Sequence, residues 1–180
     1  MKNLSRKLQR AEIGLIGWLV SHSLAVLRVS LGSIFLFFGA LKFFPALSPA
    51  QDLATRTTDV LSFGLVPAGA SIVLVASLEC AIGLGLISGR FMRLTLVLLG
   101  SQMVGAMSPL LLFGGDLFGG PYHAPTLLGQ YVLKDVVLVS VGLVLGSTLH
   151  GGRIVSERVR RAEDYTRYGA GSTESRLAKR

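Results

Sequence analysis

The chain has 180 residues, 51% hydrophobic and 16% charged, with a formal net charge of +8. A soluble domain carries about 25% charged residues, and the deficit here lies in long apolar runs, while Lys and Arg crowd the ends and a few loops. That pattern excludes an ordinary soluble domain, and basic residues that flank apolar runs follow the positive-inside rule rather than marking a nucleic-acid surface, so no nucleic-acid partner is expected.

The chain begins with Lys2, Arg6, Lys7 and Arg10 interleaved with Leu4, Leu8, Ile13, Ile16 and Trp18. Residues 1–23 are expected to form an amphipathic helix lying at the membrane interface. The alternative is a first span that starts earlier and tilts, but Ile13 to Phe44 is too long for one ordinary span. The stretch GLIGWLVSHSLA imitates a signal peptide. It runs on into SLGSIFLFFG without a small-x-small cleavage site, so it is read as retained.

Four windows reach the roughly 20 residues needed to cross a hydrocarbon core: Leu24–Phe44, Gly69–Ser88, Phe91–Phe113 and Leu128–Leu149. Each span must satisfy its own backbone hydrogen bonds, so helices are expected, and the runs lack the alternation of a transmembrane barrel. The fold class is therefore all-α: an integral membrane four-helix bundle over 24–150, with the N-terminal interfacial helix before it. Residues 151–180 follow as a basic tail. In the first outer loop, Ser48 as N-cap, Pro49 at the first helical position and Asp52 in the first turn predict a short helix. The second outer loop, FGGDLFGGPYHAPT, reads as an ordered or re-entrant segment. In the tail, RIVSERVRRAEDYTRY reads as a juxtamembrane helix and GAGSTESRLAKR as disordered.

Orientation follows from the basic residues. Arg90 and Arg93 lie between spans two and three, and Arg153, Arg158, Arg160, Arg161 and Arg167 follow span four. The loop after span one has Arg56 balanced by Asp52 and Asp59, and the loop after span three has Asp116 and His123 but no Lys or Arg. Four spans put every basic-rich segment on one side, with both termini cytoplasmic in a plasma-membrane protein.

Charged residues inside the spans are the candidate site, because a charge near the bilayer centre costs about 2.5–3.5 kcal/mol on insertion scales and is usually found facing a bundle interior. In span one, Arg28, Gly32, Phe35, Gly39 and Lys42 fall on one helical face. They form either a basic wall along a cavity or, for Lys42, a side chain that snorkels to the headgroups. The two glycines admit a close neighbour. Glu79, mid-span in the second window, is expected to pair with Arg28 or Lys134, serving either proton handling or helix packing. Cys80, the sole cysteine, excludes an intramolecular disulfide and reads as a small packing residue.

Gln102 in span three adds a polar group, and Ser108–Pro109 a kink. In span four, Lys134 and Asp135 point about 100° apart, so Lys134 is assigned to the cavity. Asp135 is left to meet Lys42 or cap the loop carrying His123. His123 is either solvated or a proton relay at the outer mouth. No ligand spacing supports a metal site, and no covalent cofactor is expected.

The segments VLRVSLGSIFLFFGALKFFP, SLECAIGLGLISGR and GQYVLKDVVLVSVGL together resemble the DoxX-like family of small four-span membrane proteins, within it the YkgB-type branch. The resemblance covers most of residues 24–146. It implies a cytoplasmic-membrane protein, linked in some members to quinone-coupled oxidation of sulfur compounds or to oxidant resistance. Carried over residue by residue, it points to Arg28, Lys42, Glu79 and Lys134. The long N-terminus and the basic tail depart from the family pattern.

The expected ligand set is thus Arg28, Lys42, Glu79, Gln102, His123, Lys134 and Asp135. The leading expectation is a membrane subunit of a redox or oxidative-stress system with a quinone-binding pocket. A soluble redox partner would dock on the cytoplasmic side, and a homo-oligomer is compatible with this. The alternatives are a non-enzymatic scaffold recruiting a soluble enzyme, or a small anion transporter, the latter weakened by the lack of paired broken helices or an inverted repeat.

Overall fold

The computed structural model describes residues 2–44, 47–48 and 50–152, with the side chains of residues 2–7 and of His150 left aside. The expected tail helix and disordered terminus, and Pro49, lie outside the described residues. The chain divides into two compact units, Met1–Gly146 and Ser147–Arg180. Of the second, residues 147–152 are described: the last residue of a helix and the 3-10 turn Leu149–Gly151 with its flanking Thr148 and Gly152.

Among the described residues the secondary structure is helical: α1 (Lys2–Leu41), α2 (Gln51–Leu61), α3 (Ala68–Ser88), α4 (Met92–Met107), α5 (Pro109–Leu112), α6 (Gly114–Leu117) and α7 (Leu127–Ser147). Four segments are long and apolar enough to cross a membrane: Leu8–Leu41, Ala68–Ser88, Met92–Leu112 and Pro121–Ser147. The molecule is an all-α, multi-pass membrane protein.

The breaks between helices have local causes. Gly89, at φ 68, ends α3 in the left-handed region, with its N–H donating to Gly85 O at 3.0 Å. Pro109 lacks the N–H that would continue α4, so the chain restarts there as α5. The expected short outer helix is α2, but its N-cap is Ala50, without a side-chain cap, rather than Ser48. The helix therefore starts two residues later than the capping pattern suggests. Helix α1 is continuous from Lys2 to Leu41. The segment expected at the interface thus joins the first span with no break at residue 23, and residues 8–23 are exposed.

Helices α1 and α3 run antiparallel and very close. A Cβ on Gly83 would lie 2.8 Å from Gly32 O, and one on Gly39 would lie 2.9 Å from Glu79 Cβ. The small residues expected to admit a neighbour do so, and α3 contributes a third. Around this contact Leu31, Phe35, Ile82, Leu86, Leu99, Met103 and Leu145 form the buried core. A second cluster of Leu53, Leu117 and Val132 packs α2 onto α6 and α7. Large apolar side chains elsewhere on the spans, such as Val97, Val104 and Leu143, are exposed, as lipid contact requires.

Candidate functional site

The α1–α3 register sets the site. Gly32 lies against Gly83 and Leu86, and Gly39 against Glu79 and Cys80. Lys42, three residues past Gly39, therefore falls level with Glu79. Eleven residues of α3 precede Glu79 and nine follow it, which puts it roughly 15 Å from either end of that helix at 1.5 Å per residue. Helix α1 thus ends at Leu41 opposite the middle of α3, and Lys42 follows directly at its carbonyl end. A cation there meets the negative end of the helix dipole.

Lys42 Nζ donates to Glu79 Oε2 at 2.6 Å, with side-chain exposures of 8% and 12%. Gln102 Nε2 donates to the other carboxylate oxygen, Oε1, at 3.1 Å. The amide orientation of Gln102 follows from that network. Three helices are thereby tied at one depth. The expected pairing of Glu79 with Arg28 or Lys134 is corrected: Lys42 is the partner. The snorkelling alternative for Lys42 goes with it, since its ammonium is directed across to α3.

Above this cluster lies a cavity of about 510 Å³, within the roughly 300–1,000 Å³ of small-molecule sites. Lys42, Glu79, Gln102, Lys134 and Asp135 line it, with apolar walls that include Phe35, Phe38 and Met103. Helix α2 closes the far side with Leu53, Thr57 and Leu61. Arg56 Nη1 donates to Asp116 Oδ2 at 2.9 Å and its guanidinium stacks 4.6 Å from the Phe113 ring centroid, which joins α2 to the α5–α6 segment. Lys134 is exposed at the cavity wall, with its Nζ 5.5 Å from the Tyr131 ring centroid. Asp135, half-buried, lines the same cavity, so the two neighbours both reach it despite their 100° offset.

Five of the seven expected residues thus share one cavity. The other two lie away from it. Arg28 sits at the opposite end of α3, against Gly89. The reason is the register: four residues before Gly32, it overshoots the last turn of α3. His123 lies exposed in the 3-10 turn Pro121–His123, at φ 61, and is not part of the cavity lining.

Two contributions escape the charge pattern. Tyr131, which meets Phe38 edge-on at 6.4 Å, shares the helical face of Lys134 and Asp135 at i+3 and i+4. That spacing is the signal that finds it. The threonines of α2 have no such signal, because their place depends on how α2 folds back over the bundle. Among the described residues no group of three or more His, Cys, Asp or Glu is placed to hold a metal ion. Cys80 Sγ packs at the α1 contact, 3.0 Å from where a Cβ on Gly39 would lie.

No curated protein and no solved structure matches the chain. The DoxX family model matches residues 23–114, a little over half of the 180 residues. The matched range includes Arg28, Lys42, Glu79 and Gln102, and ends before α7. By that match, and with the four spans that accompany it, the chain belongs to the DoxX family.

Proposed function

We propose that the protein is a membrane subunit of a quinone-linked redox or oxidative-stress system, with a quinone-class ligand held in the α1–α3–α4–α7 cavity. The observation that carries this reading is the Lys42–Glu79–Gln102 cluster at mid-depth, facing an apolar-walled cavity that Lys134 and Asp135 also enter. A flat apolar ring with carbonyl oxygens suits such a site. The Lys134 ammonium donates to one ring oxygen, the apolar walls hold the ring, and Asp135 and Glu79 pass the two protons that accompany a two-electron reduction to the quinol. Electrons come from a soluble redox partner, for which the basic tail is the docking segment. By the distribution of Lys and Arg, the protein belongs to the cytoplasmic membrane with both termini inside, and the cavity lies in its outer half. The YkgB-type branch is part of this proposal and rests on the resemblance of the span-one, span-two and span-four segments together.

The test is the melting temperature of the detergent-extracted protein with and without a short-chain ubiquinone or menaquinone analogue. A concentration-dependent rise supports the reading, as expected for a ligand that binds only the folded state. No shift with either quinone removes it.

One observation favours a second reading. Both oxygens of Glu79 already have donors within the chain, which is also what a helix-packing device requires. On that reading the protein is a non-enzymatic scaffold that recruits a soluble partner through its tail.

A further inference from the structure

Arg28 has no place in the cavity, and its surroundings point elsewhere. Its guanidinium lies over Gly89, where a Cβ would sit 2.8 Å from Arg28 Cζ. Gly89 also holds φ 68, so glycine is required there both for the backbone and for the arginine. The Nε atom of Arg28 is buried and has no hydrogen-bond partner among the described residues. A guanidinium is always charged and presents five donors in a fixed fork. A donor left buried without an acceptor is costly.

Among the described residues, the sequence around this place carries no acid. Residues 20–34 and 85–100 contain no Asp or Glu, while Arg90 and Arg93 add two exposed guanidinium groups at the α3–α4 turn. The place is the turn between two candidate spans, Ala68–Ser88 and Met92–Leu112, and the ends of spanning helices are where headgroups are met. Beside the arginines, Phe91 is 81% exposed, and Leu94 and Val97 continue an exposed apolar strip along α4. An anion with an apolar tail fits both halves of this surface.

We propose that Arg28, with Arg90 and Arg93, binds the phosphate of an anionic phospholipid, whose acyl chains lie along Phe91, Leu94 and Val97. The phosphate oxygens accept from the terminal nitrogens of Arg28 together with Arg90 and Arg93, while the buried Nε stays behind them. Basic pockets between spans are a recurrent way to hold acidic headgroups. The site is separate from the cavity and does not depend on what the cavity binds.

The test uses the full chain in neutral detergent, with phosphatidylglycerol, phosphatidylcholine or inorganic phosphate added. Native mass spectrometry should retain phosphatidylglycerol at least tenfold better than phosphatidylcholine, and Arg28→Met should remove that preference. The exposed pair Arg90→Gln/Arg93→Gln should weaken it several-fold while leaving the fold intact, and it carries the test alone if Arg28→Met does not fold. Equal retention of the two lipids, or an unchanged preference in these variants, overturns the proposal. Inorganic phosphate at millimolar concentration should not displace the lipid; full displacement would assign the site to a free anion instead.

Discussion

Lys42, the first residue past α1, meets Glu79 at the midpoint of α3 with an Nζ–Oε2 distance of 2.6 Å. The pair joins a helix end to a helix middle, so each charge is held where water is scarce. Removing one partner of such a buried pair typically costs about 3–5 kcal/mol, because the other charge is left behind. Glu79→Ala should therefore destabilise strongly, and Lys42→Met/Glu79→Leu should cost less than Glu79→Ala alone. The check is a double-mutant cycle on unfolding in mixed micelles. Strictly additive effects would remove the pairing from the energetics.

The α1–α3 contact makes a second, independent claim. A Cβ on Gly83 would meet Leu36 N at 2.6 Å and Gly32 O at 2.8 Å, both backbone atoms that cannot swing aside. Gly83→Ala should cost about 1–3 kcal/mol through overpacking. At Gly100 nothing lies within 4 Å of the added carbon. Gly100→Ala should be neutral or stabilise by up to about 1 kcal/mol, through helix propensity. Melting temperatures of the two variants should thus move apart, and equal shifts would contradict the register.

That register is also where sequence reasoning reaches its limit. Spans, charged faces and the glycine contact at Gly32 and Gly39 are visible along one chain, because each depends on the residues of one helix. The partner of Glu79 is not, because depth depends on how two helices slide past each other. A hydropathy window ending at Phe44 carries length but no level. It leaves Lys42 at an outer helix end, whereas Gly83 draws α3 along α1 until Lys42 stands at mid-depth. The same slide carries Arg28 beyond Glu79 to Gly89. The fold of α2 over the cavity rests on a tertiary contact, Leu53 with Leu117 and Val132, and no local pattern encodes it.

Topology gives a prediction free of side-chain energetics. Arg56 pairs with Asp116, so the loops after α1 and after α5 share one end of the bundle. In the proposed orientation, which rests on the Lys and Arg distribution, that end is external. Reporter fusions after Gly115 should read outside and fusions after Arg161 inside. An external C-terminus would end the four-span orientation.

The Arg56–Asp116 pair itself should matter little. Its side chains are 58% and 50% exposed, and exposed pairs are worth about 0.2–1 kcal/mol. Arg56→Ala also loses the stack on Phe113, which adds about 0.5–1 kcal/mol. The variant should melt slightly lower, with a deficit that shrinks as salt is added. A large loss would mean that α2 depends on this pair rather than on its buried face.

Lys134 separates a working cavity from a packing device. Its side chain is exposed at the cavity wall and lies near the Tyr131 ring, whereas Lys42 is enclosed by its ion pair. Losing a charge that nothing buried depends on should leave the fold nearly as stable. Methionine keeps an unbranched apolar stem and removes the ammonium with its three donors. If a quinone is held by that ammonium, Lys134→Met should melt within a degree or two of the parent when no ligand is added, since surface substitutions are usually within ±0.5 kcal/mol. Its stabilisation by added quinone should then fall by about 1.5–3 kcal/mol, the scale of a hydrogen bond to a charged group. A lysine that serves only packing gives the opposite result, with a lower melting temperature and an unaltered response to quinone. Melting curves of both proteins across one quinone titration distinguish the two, and the second outcome would hand the cavity to the scaffold reading.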